Sequence, residues 1–442
     1  MRNRKQFIHG SVWIGLYILI IVAPFLVLLA GQSPPGRGFW REVAVGLGFA
    51  GLSMMGLQFF LTGRFKFIEA PYGIDVVYHF HRQISIIAFG FLLAHPLILI
   101  LDAPATFRLF DPLTAPWWAT VGVAGLAAFG VIILTSLRRL ALSLTYEAWR
   151  LSHSLLAMAA VTLGVAHILG VGYYLQDPLK QAFWVALGSS WLIALAFVRL
   201  IKPLVMLKKP YVVEKVLPER GRTWTLVLKP VGHAGMRFRP GQFAWLTIGK
   251  SPFAVREHPF SFSSSSLQEG SLEIAVKELG DFTATIGQVP PGTRAYLDGP
   301  YGSFTVDRHP RPGYVFIAAG VGITPIMSVL RTLADRRDCR PLFLFYGGRT
   351  WQEMTFREEL QELEKRLNLR TVFVLSRETP ENWTGERGRI TAELLARYLP
   401  RERLDYEVFI CGPHPMQLAI KGELGRLGLP LENVQSESFN YV

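Results

Sequence analysis

Four histidines stand in two matched pairs. His81 and His95 are fourteen residues apart, and so are His153 and His167. Each pair brackets an apolar-rich segment, HRQISIIAFGFLLAH and HSLLAMAAVTLGVAH. On an α-helix fourteen steps make about four turns, roughly 40° short, so both members share one face with a rise of about 21 Å between them. That rise is most of a roughly 30 Å hydrocarbon core. A single histidine in a membrane helix is usually a polar packing residue or a proton relay. Two pairs of equal spacing ask for another role: two helices side by side offer two stacked His–His sites. An iron porphyrin takes axial imidazoles from opposite sides. The pattern predicts two b-type haems, one between His81 and His153 and one between His95 and His167, and so an electron path across a membrane. His79, sixteen residues before His95, falls about 160° off that face and is expected not to ligate.

A second set of motifs lies in the back half. His258-Pro259-Phe260-Ser261-Phe262-Ser263 places aromatic rings and hydroxyls together at a strand end. Such a ring can flank an isoalloxazine, and a hydroxyl can bond its hydride-accepting edge. Further on, a strand ending Val276-Lys277 runs into Gly280, Phe282 and Thr283. There backbone N–H groups at a short helix start would suit a pyrophosphate. Gly299-Pro300-Tyr301-Gly302 follows. Next, Gly320-Val-Gly322-Ile323-Thr324-Pro325 joins a strand to a helix, the context in which glycines let backbone approach a phosphate. A last strand ends in Cys411-Gly412-Pro413-His-Pro-Met416. Arg349 and the Ser376-Arg377 pair stand at two further strand ends, where no acidic residue waits for a free ribose hydroxyl. Arginine and serine suit a 2′-phosphate, which favours NADPH.

These residues need elements to hold them. Six apolar runs, roughly 10–30, 43–61, 80–101, 117–137, 151–172 and 181–201, are each long enough to cross a bilayer. The first is too long for a signal-peptide core and lacks a cleavage pattern. With the N-terminus taken as cytoplasmic, thirteen Lys/Arg lie on the inner side against four outside, Arg37, Arg41, Arg108 and Lys180. The positive-inside rule then places everything after the sixth run in the cytoplasm of a cell with this inner-membrane protein. The net charge of +13 follows these membrane ends and forms no separate patch for nucleic acid. Two cysteines, Cys339 and Cys411, give no disulfide framework or zinc site. From about 207, alternating segments such as YVVEKVL and TWTLVLKP predict antiparallel strands. From about 313, strand-like runs alternate with helical ones, the mark of a parallel α/β sheet. The expected organisation is an all-α six-helix membrane bundle (1–206), an antiparallel β-barrel for FAD (207–309) and an α/β nucleotide-binding domain (310–442).

The order of these motifs resembles the ferric reductase / NADPH oxidase superfamily over nearly the whole chain. The front half is similar to its six-helix domain with haem histidines on the third and fifth helices. HPFS, GPYG, GVGITP and CGPHPM match a ferredoxin–NADP reductase module. That module usually has arginine before the aromatic–serine pair; this chain has His258, as the membrane oxidases do. The resemblance implies FAD, NADPH and haem as cofactors. It also implies Ser261 near the reacting nitrogen, with Cys411 and Glu437 in the same catalytic set. A C-terminal aromatic covering the flavin is a further implication, here Phe439 or, preferred, Tyr441. The expected acceptor is dioxygen, giving superoxide, with a ferric or cupric chelate as the alternative and a quinone or protein partner as a third option. No calcium-binding or other regulatory insertion is visible, so no obligatory protein activator is expected.

Overall fold

The computed structural model describes residues 2–31, 34–66, 73–254, 256–377, 380–400 and 404–437. The chain divides into two compact units, Met1–Ile201 and Lys202–Val442. Phe439 and Tyr441, the expected flavin cover, lie outside the described residues.

The first unit carries the six expected long helices: α1 (Arg2–Leu29), α2 (Phe39–Leu61), α3 (Ile74–Asp102), α4 (Trp117–Leu137), α5 (Tyr146–Val171) and α6 (Pro178–Ala196). All six are long and apolar enough to span a bilayer, the sixth when its continuation to Leu207 is counted. The protein is a multi-pass membrane protein. Several helices start earlier than their apolar runs, because polar first turns such as Asp75 in α3 and Glu147 in α5 continue the helix beyond the hydrocarbon stretch. Local signals set the ends. Thr145 caps α5 by accepting from the Ala148 N–H, and Gly172 ends it in the left-handed conformation. Asp177 caps α6 with Pro178 at its first position.

Packing in this unit pairs α2 with α3 and α4 with α5 as antiparallel hairpins. In lipid, helices gain little from burying apolar surface and associate through close contact, so small residues matter. At Gly56 of α2 a Cβ would fall 2.1 Å from the Trp191 ring of α6. Trp184 and Trp191 are fully buried there. Lys180 is tucked inward to donate to the Leu28 carbonyl at the end of α1 (2.8 Å).

The second unit opens with α7 (Lys202–Leu207) and contains two sheets. The first is a curled antiparallel sheet of β1 (Tyr211–Glu219), β2 (Thr223–Pro230), β3 (Phe243–Ile248), β4 (His258–Ser261), β5 (Leu272–Lys277) and β6 (Arg294–Tyr301). Its order is β4-β3-β6-β1-β2-β5, and a bridge between Phe262 and Ile274 joins the two edges into a barrel. The second sheet comprises β7 (Tyr314–Ala319), β8 (Leu342–Gly348), β9 (Leu369–Leu375), β10 (Glu386–Arg387), β11 (Glu407–Cys411) and β12 (Val434–Glu437). It is parallel, in the order β10-β9-β8-β7-β11-β12. The strand order turns back between β7 and β11, the switch point at which open α/β sheets bind ligands. Helices α9 (Ile323–Asp335), α10 (Arg357–Arg366), α11 (Ala392–Tyr398) and α12 (His414–Arg426) accompany this sheet, and a single turn, α8 (Asp281–Ala284), follows β5.

Candidate functional site

The four histidines meet in the expected pairs. Ring centroids of His81 and His153 are 6.5 Å apart, and those of His95 and His167 are 6.3 Å apart. Two metal–imidazole bonds of about 2.0–2.1 Å, plus about 1.2 Å from each ligating nitrogen to its ring centre, span about 6.4 Å. Both separations therefore fit one metal between each pair of rings.

Every ring uses its Nδ1 elsewhere. His95 donates from Nδ1 to the Ala44 carbonyl (2.8 Å), and His167 donates to the Trp118 carbonyl (2.8 Å). His81 donates to Gln58 Oε1 (2.9 Å). His153 lies 3.2 Å from Ser136 Oγ, which also accepts from the Trp149 indole (3.3 Å). A bonded Nδ1 fixes the tautomer and leaves Nε2 for a metal. None of these partners was visible in the sequence motifs. The only signal was spacing: Ala44 and Gln58 are fourteen apart, matching His95 and His81 across an antiparallel hairpin. His79 is exposed, in keeping with its off-face position. A cavity of about 300 Å³ adjoins His95 and His167, lined by Gly48, Gly122 and Trp118 and reaching Arg37 and Arg41.

In the barrel, His258, Phe260 and Phe282 gather into one aromatic cluster. The His258 and Phe282 rings stack with centroids 4.1 Å apart, and Phe260 lies 6.2 Å from Phe282. Pro259 sits on the edge strand β4, where its missing N–H costs no ladder bond. Ser261 and Ser263 are buried, and the Ser263 hydroxyl has no partner among the described residues. A buried polar atom left unpaired is costly, so it marks a place where a ligand atom would fit. The stretch 277–283 forms the short turn after β5. The Thr283 hydroxyl accepts from the N–H of Leu279 (2.8 Å) and of Gly280 (2.9 Å). Those two amides serve the local turn and are not free for a pyrophosphate.

At the switch point, the β7 and β11 motifs interlock. A Cβ on Gly322 would stand 2.2 Å from the Cys411 carbonyl oxygen, so only glycine lets the two turns approach. Gly320 has φ +56°, and Thr324 at the start of α9 is buried, its hydroxyl without a partner among the described residues. Gly412 faces Met416, and Gln417 donates to both the Gly412 carbonyl (2.8 Å) and the Glu437 carbonyl (2.9 Å). Gln417 thus ties the turn after β11 to the root of the C-terminal tail, a role the motif reading missed. Glu437 pairs in register with Cys411 and approaches Gly302 of the GPYG turn. Burial pushes the Cys411 thiol up, and the Glu437 carboxylate adds to this. Arg349 and Arg377 are exposed side by side at the ends of β8 and β9, joined through an Arg377 N–H to Arg349 carbonyl bond (3.0 Å). Ser376 instead spends its hydroxyl on the Gly348 carbonyl (3.0 Å).

Three stretches of the chain match known families. Residues 47–164 match the ferric reductase like transmembrane component, 226–305 an FAD-binding domain and 316–422 an oxidoreductase NAD-binding domain. The chain has the architecture of the ferric reductases and NADPH oxidases. An FAD-binding and an NAD-binding oxidoreductase domain thus follow a ferric-reductase-like membrane component. Among curated relatives, the reductase component of propane 2-monooxygenase from Mycolicibacterium smegmatis is 33% identical over 236 residues, 51% of this chain and 66% of that one. The glycine betaine monooxygenase reductase subunit of Chromohalobacter salexigens is 31% identical over 208 residues, 46% and 56% of the two chains. The matches span between about half and two thirds of those relatives' lengths. Among solved structures, the flavohem-like FAD/NAD-binding domain of nitric oxide dioxygenase from Vibrio cholerae O1 biovar El Tor gives a TM-score of 0.46 at 23% identity, covering 52% of this chain and 97% of that one. A flavohemoglobin from Malassezia yamatoensis gives 0.49 at 18%, covering 92% and 100%.

Proposed function

We propose that this ferric-reductase-type chain is a transmembrane NADPH oxidase with two b-type haems. Its electrons come from cytoplasmic NADPH through FAD, and dioxygen on the far side is the acceptor, reduced to superoxide. The observation that carries the reading is the twofold His–His geometry, with ring separations of 6.5 and 6.3 Å and every Nδ1 bonded away from the metal position. When bound, FAD accepts a hydride and the haems carry electrons singly, which is the chemistry the cofactors bring.

The protein's own residues bind and orient. His81 and His153 hold the inner haem, His95 and His167 the outer one. His258, Phe260 and Phe282 would line the flavin with their rings, and the Ser261 and Ser263 hydroxyls would bond its polar atoms. Gly320, Gly322 and the Thr324 hydroxyl meet the dinucleotide phosphates at the start of α9. The exposed guanidinium groups of Arg349 and Arg377 take the 2′-phosphate. Cys411, Gly412 and Glu437 surround the nicotinamide end, with Pro413 and Met416 shaping the turn and Ile323 and Pro325 starting the helix. The membrane is the cell membrane, with the N-terminus and the dehydrogenase half in the cytoplasm, as the charge bias between loops supports.

Dioxygen as acceptor draws support from the apolar lining of the cavity beside His95, including Leu92, Leu99, Leu109 and Phe110. Arg37 and Arg41 at the same cavity favour a second reading, reduction of an anionic ferric chelate. The test is NADPH-driven turnover in detergent with added FAD. Cytochrome c reduction sensitive to superoxide dismutase supports the oxidase; ferric-chelate reduction under anaerobic conditions without superoxide formation in air supports the reductase.

A further inference from the structure

The two histidine pairs are held by different means. For His95 and His167 the Nδ1 acceptor is a backbone carbonyl of the preceding helix, Ala44 of α2 and Trp118 of α4. In an α-helix the carbonyl of residue i already accepts the N–H of residue i+4. Here residue i+4 is glycine both times, Gly48 and Gly122. A Cβ at Gly48 would stand 3.1 Å from His95 Nδ1, and one at Gly122 2.5 Å from His167 Nδ1. Glycine therefore opens the space through which each ring reaches the carbonyl's second lone pair.

For His81 and His153 the acceptors are side chains. Gln58 is buried, and its own amide nitrogen donates to the Met54 carbonyl (2.7 Å). That bond fixes the amide so that Oε1, and not Nε2, faces His81. Ser136 Oγ sits between the His153 ring and the Trp149 indole, at 3.2 and 3.3 Å. With His153 bound through Nε2, its Nδ1 carries the proton, so this oxygen accepts twice. A hydroxyl shared between two donors pulls less on each of them than a dedicated carbonyl does.

The acceptor on Nδ1–H governs how much electron density an imidazole passes to its metal. A strong acceptor makes the ring more basic and stabilises the oxidised metal; loss of the acceptor raises the reduction potential. We infer that Gln58 and Ser136 are positioning residues that set the orientation and reduction potential of the His81–His153 site alone, while the His95–His167 site is fixed by backbone carbonyls. This inference rests on the two-haem reading. Its consequence is that one site can be tuned by single side-chain substitutions with the other left unchanged.

The test is an equilibrium redox titration of the purified full-length chain in detergent, followed at the haem absorbance bands, with haem content measured in parallel. Wild type is expected to hold two haems and to titrate in two one-electron components. In Gln58→Leu and in Ser136→Ala, one component should move to higher potential. The expected shift is up to a tenfold change in the reduced-to-oxidised ratio at fixed ambient potential, equivalent to about 59 mV. The other component should stay in place. Ser136→Thr keeps the hydroxyl and should restore the wild-type curve. Selective loss of one haem, with the remaining component unmoved, would also support a role confined to one site. Variants that retain both haems with unmoved components, or in which both components move together, would overturn the inference. Wild-type protein without haem would instead overturn the two-haem reading, and the inference with it.

Discussion

Gly122 stands against His167 with no room for a side chain: a Cβ there would lie 2.5 Å from Nδ1 of the imidazole. The same ring donates to the carbonyl of Trp118, one helical turn earlier. Gly48 and His95 repeat the relationship less tightly, at 3.1 Å. The positions of His95 on α3 and His167 on α5 are thus set by backbone approach from α2 and α4.

Substitution at these glycines should be graded by that distance. Gly122→Ala should displace His167, at an overpacking cost of about 1–3 kcal/mol, and remove roughly half of the haem. Gly48→Ala should be milder, because a few tenths of an ångström relieve the contact. Haem-to-protein ratios from purified variants check this. Equal haem content in both variants and wild type would show that neither glycine makes room for a ligand.

The phosphate site yields a second expectation. Arg349 and Arg377 are exposed and adjacent at the ends of β8 and β9, and neither makes an ion pair among the described residues. A hydrogen bond to a charged group contributes about 1.5–3 kcal/mol. Arg377→Ala should therefore raise the NADPH Michaelis constant by about ten- to a hundredfold, with the NADH constant changed far less. Steady-state flavin reduction with each nucleotide measures it; parallel rises would assign the arginine elsewhere.

Cysteine chemistry gives a third. Cys411 is buried at the end of β11, whereas Cys339 is exposed. Burial, then the Glu437 carboxylate, holds the Cys411 thiol above the ordinary thiol range. The folded protein keeps that proton while an unfolded chain loses it near pH 8.5. This contribution to stability is complete below the unfolded thiol's pKa and declines as pH rises above it. At pH 8 to 9 an alkylating reagent should label Cys339 and spare Cys411 until denaturant is added. Mass spectrometry of the labelled peptides decides; rapid native labelling of Cys411 would place it in an open site.

What the sequence disclosed and what it hid divide along physical lines. The His81/His95 and His153/His167 intervals were legible because helical periodicity alone puts each pair on one face. Strand and helix types in the back half followed from alternation and turn residues, and β7, β8, β9 and β11 fall where segments such as YVFIAAG and YEVFICG predict them. Gln58, Ser136 and Gln417 stayed hidden because their roles arise from contacts between elements distant in sequence. The Thr283 hydroxyl was equally hidden: its local bonds to the Leu279 and Gly280 amides were announced by no motif. Helix starts were placed late at α3 and α5 because hydropathy marks the hydrocarbon span, not the polar turn that precedes it.

The proposed function requires an uninterrupted electron path from nicotinamide to both histidine pairs within one chain. Anaerobic stopped-flow mixing of the purified, FAD-supplied full-length protein with NADPH, monitored across the flavin and haem bands, tests it most directly. Flavin bleaching followed by reduction of both haems, with no other protein added, is the expected result. In His95→Ala, flavin bleaching should persist, with only the His81–His153 haem remaining to be reduced. Flavin bleaching in wild type with haem bands that stay oxidised would contradict it.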